Sequence, residues 1–145
     1  MTFSDDKKVD AHFGQLTDAI KNKDKDAIKT IFSKQALEEA ESIDESIEYL
    51  LTLIQGEIKS WKNENWGSDG VVENGKTVLT EIKSWYKVTT EKDEYLFFLL
   101  DYTKDIKNPD NVGLYTLRAI KEEDRETHFT YWQDMKIAGI YMPKE

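Results

Sequence analysis

A chain of 145 residues has the length of one domain, and with 39% hydrophobic and 12% aromatic residues it can bury a sizeable core. Its formal net charge of −9 repels phosphate backbones and anionic lipid, which disfavours nucleic acid and membrane surfaces and steers basic partners towards it. With no cysteine, disulfides, thiol catalysis, zinc–thiolate and iron–sulfur sites are excluded, and no apolar run approaches the ~18 residues of a membrane span.

The first half of the chain reads as helices. Val9, Phe13, Leu16 and Ile20 recur at the spacing of one helical face. Asp24 is placed to cap a second, short helix that buries Ala27, Ile28, Ile31 and Phe32, and Ser33 a third that carries Ala36, Leu37 and Ala40. Ser42-Ile43-Asp44-Glu45 has the form of a capping box before Ile47, Leu50, Leu51 and Ile54, and Gly56 sits where a helix C-terminus favours glycine.

Beyond Gly56 the period falls to two. Val78, Ile82, Tyr86 and Val88 share one face of a strand, and Tyr95 to Leu100 is apolar on both faces, as a central strand would be. Val112 to Ile120 and Phe129 to Met135 predict two more strands, with turns at Asn108 to Asn111 and Lys121 to Glu126. The pentapeptide Glu57-Ile-Lys-Ser-Trp61 returns as Glu81-Ile-Lys-Ser-Trp85, too short a repeat for a solenoid. Helices followed by antiparallel strands predict an α+β domain with the helices packed on one face of a curved sheet.

Gly70 to Thr77 matches the G-x-x-x-x-G-K-[ST] phosphate-loop pattern, and Leu96 to Asp101 resembles the strand and aspartate that would hold magnesium. The context argues otherwise. Ser60 to Asp69 is too polar for the buried strand that should precede such a loop, and the Val, Ile, Trp and Tyr content after Thr77 favours a strand over a helix. Asn74-Gly75 between Val71-Val72 and Thr77-Val78 is instead a two-residue hairpin signal, since both positions tolerate positive φ. No nucleotide is therefore expected.

Asp101 is the polar residue that most invites chemistry, because Phe97 to Tyr102 surrounds it with apolar neighbours. A desolvated carboxylate there could act as a general base; the plainer reading ties it to a hydrogen bond or to a lysine such as Lys104. Asp134 is a weaker case of the same kind. His12 borders the apolar face of the first helix and His128 follows a charged turn, a separation that gives no metal-ligand spacing, and no calcium loop is present. The four tryptophans, Trp61, Trp66, Trp85 and Trp132, all fall in the sheet region, where they either pack the core or line a pocket.

Three stretches carry a family likeness: Lys21 to Ser33 (KNKDKDAIKTIFS), Asn108 to Arg118 (NPDNVGLYTLR), and Phe129 to Lys136 (FTYWQDMK) with Gly139 to Pro143 behind it. Together they resemble a family of Gram-positive bacterial lipoproteins of unknown function with the cystatin-like cone of the nuclear-transport-factor and ketosteroid-isomerase superfamily. The resemblance runs from about Ala11 to Pro143 and implies residues 1–10 as a flexible tether and 11–145 as a single domain. It also implies export and a lipid anchor on the outer face of the cell envelope. The signal and lipid-bearing cysteine are absent from this chain and are taken as removed; a cytoplasmic setting is the alternative.

That superfamily hosts both enzymes and non-catalytic domains, so the fold licenses no activity by itself. The leading expectation is a non-enzymatic envelope protein that holds a small ligand or peptide in its cone, with Trp61, Trp85, Tyr95, Asp101 and Trp132 as candidate lining residues and no metal or cofactor. A second is an isomerase- or dehydratase-like enzyme with Asp101 as base and Tyr102, Tyr95 or Tyr131 as oxyanion donor. A third is an acidic protein that neutralises a basic partner.

Overall fold

The computed structural model describes residues 3–125 and 136–142, with the side chains of residues 3–8 excepted. Four helices come first: α1 (Phe3–Lys21), α2 (Lys25–Ile31), α3 (Lys34–Glu39) and α4 (Ile43–Leu53). The strands follow as β1 (Ile58–Glu73), β2 (Lys76–Thr90), β3 (Glu94–Asp105), β4 (Gly113–Lys121) and β5 (Gly139–Ile140). They form one α+β domain sheet in the order β1-β2-β3-β4-β5. The expected strand at Phe129 to Met135 lies outside the described residues.

Two caps form as the sequence predicts. Asp24 accepts from the Ala27 N–H and Ser33 from the Ala36 N–H, each at 3.0 Å, which satisfies orphan donors at the starts of α2 and α3. The capping box at Ser42 does not form: its side chain makes no cap hydrogen bond. Residues 3–10, expected as a tether, are the opening turns of α1. Val9 is buried there, and Asp10 accepts a 2.8 Å hydrogen bond from the Tyr86 hydroxyl.

The hairpin reading of Gly70 to Thr77 holds. β1 ends at Glu73, β2 begins at Lys76, and Asn74 and Gly75 turn the chain with φ of 53° and 77°. A strand rather than a helix follows Gly75-Lys76-Thr77, so the geometry of a phosphate loop is absent. β1 itself is longer than the sequence suggests. Among the described residues it is the edge of the sheet, paired only with β2, and its polar stretch from Lys59 to Asp69 is largely exposed. The sheet is also not purely antiparallel: β5 runs parallel to β4, and the Tyr141 N–H bonds the Leu117 carbonyl at 2.9 Å.

The helices cover one face of the sheet. Phe13, Leu16 and Ile20 of α1, Ile28 of α2, Ala36 of α3 and Ile47 and Leu50 of α4 pack there against Ile82, Tyr86 and Val88 of β2, Tyr95, Phe97 and Leu99 of β3, and Leu114 and Leu117 of β4. The opposite face carries a second cluster of Leu96, Phe98, Leu100, Tyr102 and Ile120. β3 is therefore buried on both sides, as its sequence predicts. Ile31 and Leu51, expected in the core, are only partly buried at its margin. Gly113, with φ of 134°, brings β4 so close to the start of α3 that a Cβ would meet Ser33 Cα at 3.0 Å.

The fully enclosed Phe13 is the side chain on which α1 docks. We expect Phe13→Ala to lower unfolding free energy by about 3–5 kcal/mol in urea titrations, and Lys25→Ala, in an exposed position, by less than ~0.5 kcal/mol. Equal effects would show that α1 is rotated differently.

Candidate functional site

The residues expected to share a site are divided by the sheet. Trp61, Tyr95 and Asp101 point to the helix face; Trp85 and Tyr102 point to the other; Trp132 and Tyr131 lie outside the described residues. Trp61 packs edge-on to Phe13 and Tyr86, at centroid distances of 5.2 and 5.5 Å, as part of the core. Tyr95 is fully enclosed, and its hydroxyl accepts the Gln55 N–H at 2.9 Å just past the end of α4. Tyr95 thus serves a helix end rather than a cavity. Asp101 and Tyr102, being consecutive in β3, present their side chains to opposite faces and do not act on one substrate atom together. The tyrosine lies beneath Lys136, whose Nζ sits 5.3 Å from its ring centre.

The repeated pentapeptide shows how strand geometry redirects identical sequence. In β2, Ile82 faces the helices and Trp85, three residues on, faces away. In β1, the pairing slips between Ile58 and Ser60, leaving Lys59 as an extra residue. That bulge brings Trp61 back to the face of Ile58, so the two tryptophans of the same motif end on opposite sides of the sheet.

On the helix face Asp101 meets His12 of α1. Nδ1 of the imidazole lies 3.0 Å from Oδ1 of the carboxylate, with the Asp101 residue 7% exposed. Oδ1 itself is wholly enclosed. Burial pulls the His12 pKa down, but the carboxylate, through its contact and its charge, outweighs burial and holds it above the usual 6.5. The partner is therefore a histidine, where the sequence offered a hydrogen bond or a lysine such as Lys104. Residues 12 and 101 belong to different elements, and only the docking of α1 on β3 brings them together.

On the opposite face lies a cavity of about 640 Å³. Trp85, Leu96 and Phe98 form its apolar floor, with the Trp85 and Phe98 rings 5.1 Å apart, and Glu64, Asn65, Lys83 and Arg125 bring polar groups to it. Glu64 is itself a bulge residue, the extra position between Asn63 and Asn65. Arg125 Nη2 donates to Glu64 at 2.6 Å and its Nε to Glu122 at 2.8 Å, so the polar side is fixed by a network. The sequence reading found Trp85 but missed this charged rim, since Glu64, Lys83 and Arg125 share no local motif. Among the described residues no group of three or more His, Asp or Glu side chains could hold a metal ion.

His12 gives the site a measurable pH dependence. Because its folded pKa is raised, its stabilising contribution is fully present below about pH 6.5 and is lost as pH rises through the folded value. We expect the gap in urea midpoint between the unaltered protein and Asp101→Asn to be wider near about pH 5.5 than near about pH 8.5. A gap that stays constant would mean that the pair carries no charge coupling.

The chain matches none of the curated proteins with which it was compared. A family model described as a domain of unknown function (DUF5104) matches residues 15–122, from the middle of α1 to just past the end of β4. That span holds most of the helix-face core and both candidate clusters apart from His12 and Arg125. The chain is a member of the DUF5104 family.

Proposed function

We propose that the domain is a non-enzymatic binding module of the cell envelope, and that it holds a small amphipathic ligand or a peptide side chain on the sheet face turned away from the helices. The observation that carries this reading is the 640 Å³ cavity with Trp85, Leu96 and Phe98 on its floor. Its size falls within the ~300–1,000 Å³ of small-molecule sites, and its make-up, apolar below and polar at one side, suits a ligand with one greasy and one polar end. The middle of the helix face is filled, because Phe13, Tyr86, Phe97 and Trp61 interlock there.

Two further points favour binding over turnover. Asp101 and Tyr102 lie on opposite faces, and Tyr95 is occupied by the Gln55 amide. The Glu64–Arg125–Glu122 network is a positioning device of the kind that fixes ligand orientation. The envelope setting rests on the lipoprotein resemblance and not on the cavity.

A fluorescent apolar probe, 1-anilinonaphthalene-8-sulfonate, tests the reading. We expect one probe per folded chain, with binding weakened by about tenfold or more in Trp85→Ala while near-ultraviolet circular dichroism reports intact packing. Absence of binding, or binding that ignores Trp85→Ala, would overturn it.

A further inference from the structure

Consecutive residues of a strand point to opposite faces, yet Glu64 and Asn65 both line the Trp85 cavity. The bulge is the reason. Glu64 is the extra residue between Asn63 and Asn65, and Asn65 then pairs directly with Trp85 of β2. The next position on that face of β1 is Gly67, opposite Lys83, where an added Cβ would meet nothing within 4 Å. The strand thus sets two polar side chains beside the indole and leaves the neighbouring place empty.

Of the apolar residues in the cavity, Leu96 and Phe98 are 1% and 0% exposed, while Trp85 is half-buried. The indole nitrogen is enclosed, so the surface that Trp85 offers is carbon. Each charge in the lining already has its counter-charge. Arg125 is paired with Glu64 and Glu122, and Lys83 Nζ stands 3.7 Å from Glu81. The Asn65 amide is oriented too: its oxygen accepts the Trp66 N–H at 2.9 Å, which leaves the NH2 group as the part to offer a ligand.

We infer that the ligand of this cavity is an uncharged saccharide, held with one pyranose ring against Trp85. The inference rests on the binding reading above and narrows it. A pyranose carries C–H groups on its faces and hydroxyls around its edge, so it meets a carbon surface and a polar rim at once. Each hydroxyl both donates and accepts. It can donate to Glu64 and accept from Asn65 or Lys83 without displacing a counter-charge. A ligand carboxylate only accepts and an ammonium only donates, and either must break an existing pair to neutralise its own charge. The Arg125 network holds Glu64 in place beforehand, so little side-chain freedom is lost on binding.

The Trp85 indole N–H resonance, assigned with Trp85→Phe, reports occupancy from within the cavity. The probes are D-glucose, D-galactose, N-acetyl-D-glucosamine and cellobiose. D-glucuronate and D-glucosamine serve as charged versions of the ring, an anion and a cation at about pH 6. We expect at least one neutral sugar to shift the resonance saturably in the millimolar range, with both charged rings weaker by about threefold or more. Asn65→Ala removes an exposed side chain and should weaken the best sugar by about fivefold or more, with near-ultraviolet circular dichroism unchanged. No saturable shift with any neutral sugar, charged rings that bind as well, or binding that ignores Asn65→Ala would each overturn the inference. If the anilinonaphthalene probe still binds at Trp85 in that event, only the saccharide is lost; if it does not, the binding reading falls with it.

Discussion

The stacking of Phe13 on Tyr86, at 3.8 Å between ring centres and 3° between planes, is the contact from which the rest of the structure follows. It fixes the rotation of α1 on the sheet. With Phe13 inward, Leu16 and Ile20 follow it into the core, and Val9 closes the end of the same stripe. The same rotation puts Asp10 at the Tyr86 hydroxyl and His12 at Asp101. Two polar clasps thus flank one aromatic contact, and each depends on it for alignment. Burial by the helix, together with the Asp10 carboxylate, pushes the Tyr86 pKa well above its ordinary value of 10, so this clasp keeps its proton across the physiological range.

The sheet then acts as a partition with chemistry on both sides. β3 is buried on both faces, and consecutive residues along it serve different clusters: Leu99 and Asp101 face the helices, Leu100 and Tyr102 face away. What departs from strict alternation is concentrated at the bulges. Lys59 turns Trp61 into the core, Glu64 joins Arg125 beside the Trp85 cavity, and Thr103 brings Lys104 to the side of Asp101. Each inserts a single residue, and each changes which side chain a face presents.

This explains what could and could not be read from the sequence. The helical stripe of α1, the caps at Asp24 and Ser33, the Asn74-Gly75 turn and the two-sided burial of β3 all follow from local rules, and the structure contains each of them. The length of β1 was not legible, because an edge strand has no need of the apolar alternation that marks a buried one. The face taken by Trp61 was not legible either, since nothing in Glu-Ile-Lys-Ser-Trp says that one copy is bulged. Ser42 shows the reverse error, a local motif present in letters and unused in the fold. The pairing of His12 with Asp101 and of Glu64 with Arg125 joins residues far apart in sequence, so only tertiary packing reveals it.

The central claim is that the ring stack orients α1, and a double-mutant cycle measures that contact directly. Phe13→Leu, Tyr86→Leu and the double variant would be unfolded in urea under identical conditions. The stack predicts a coupling energy of about 0.5–1.5 kcal/mol between the two sites. Additive losses, within ~0.3 kcal/mol, would contradict it and would mean that α1 is held by its aliphatic stripe alone.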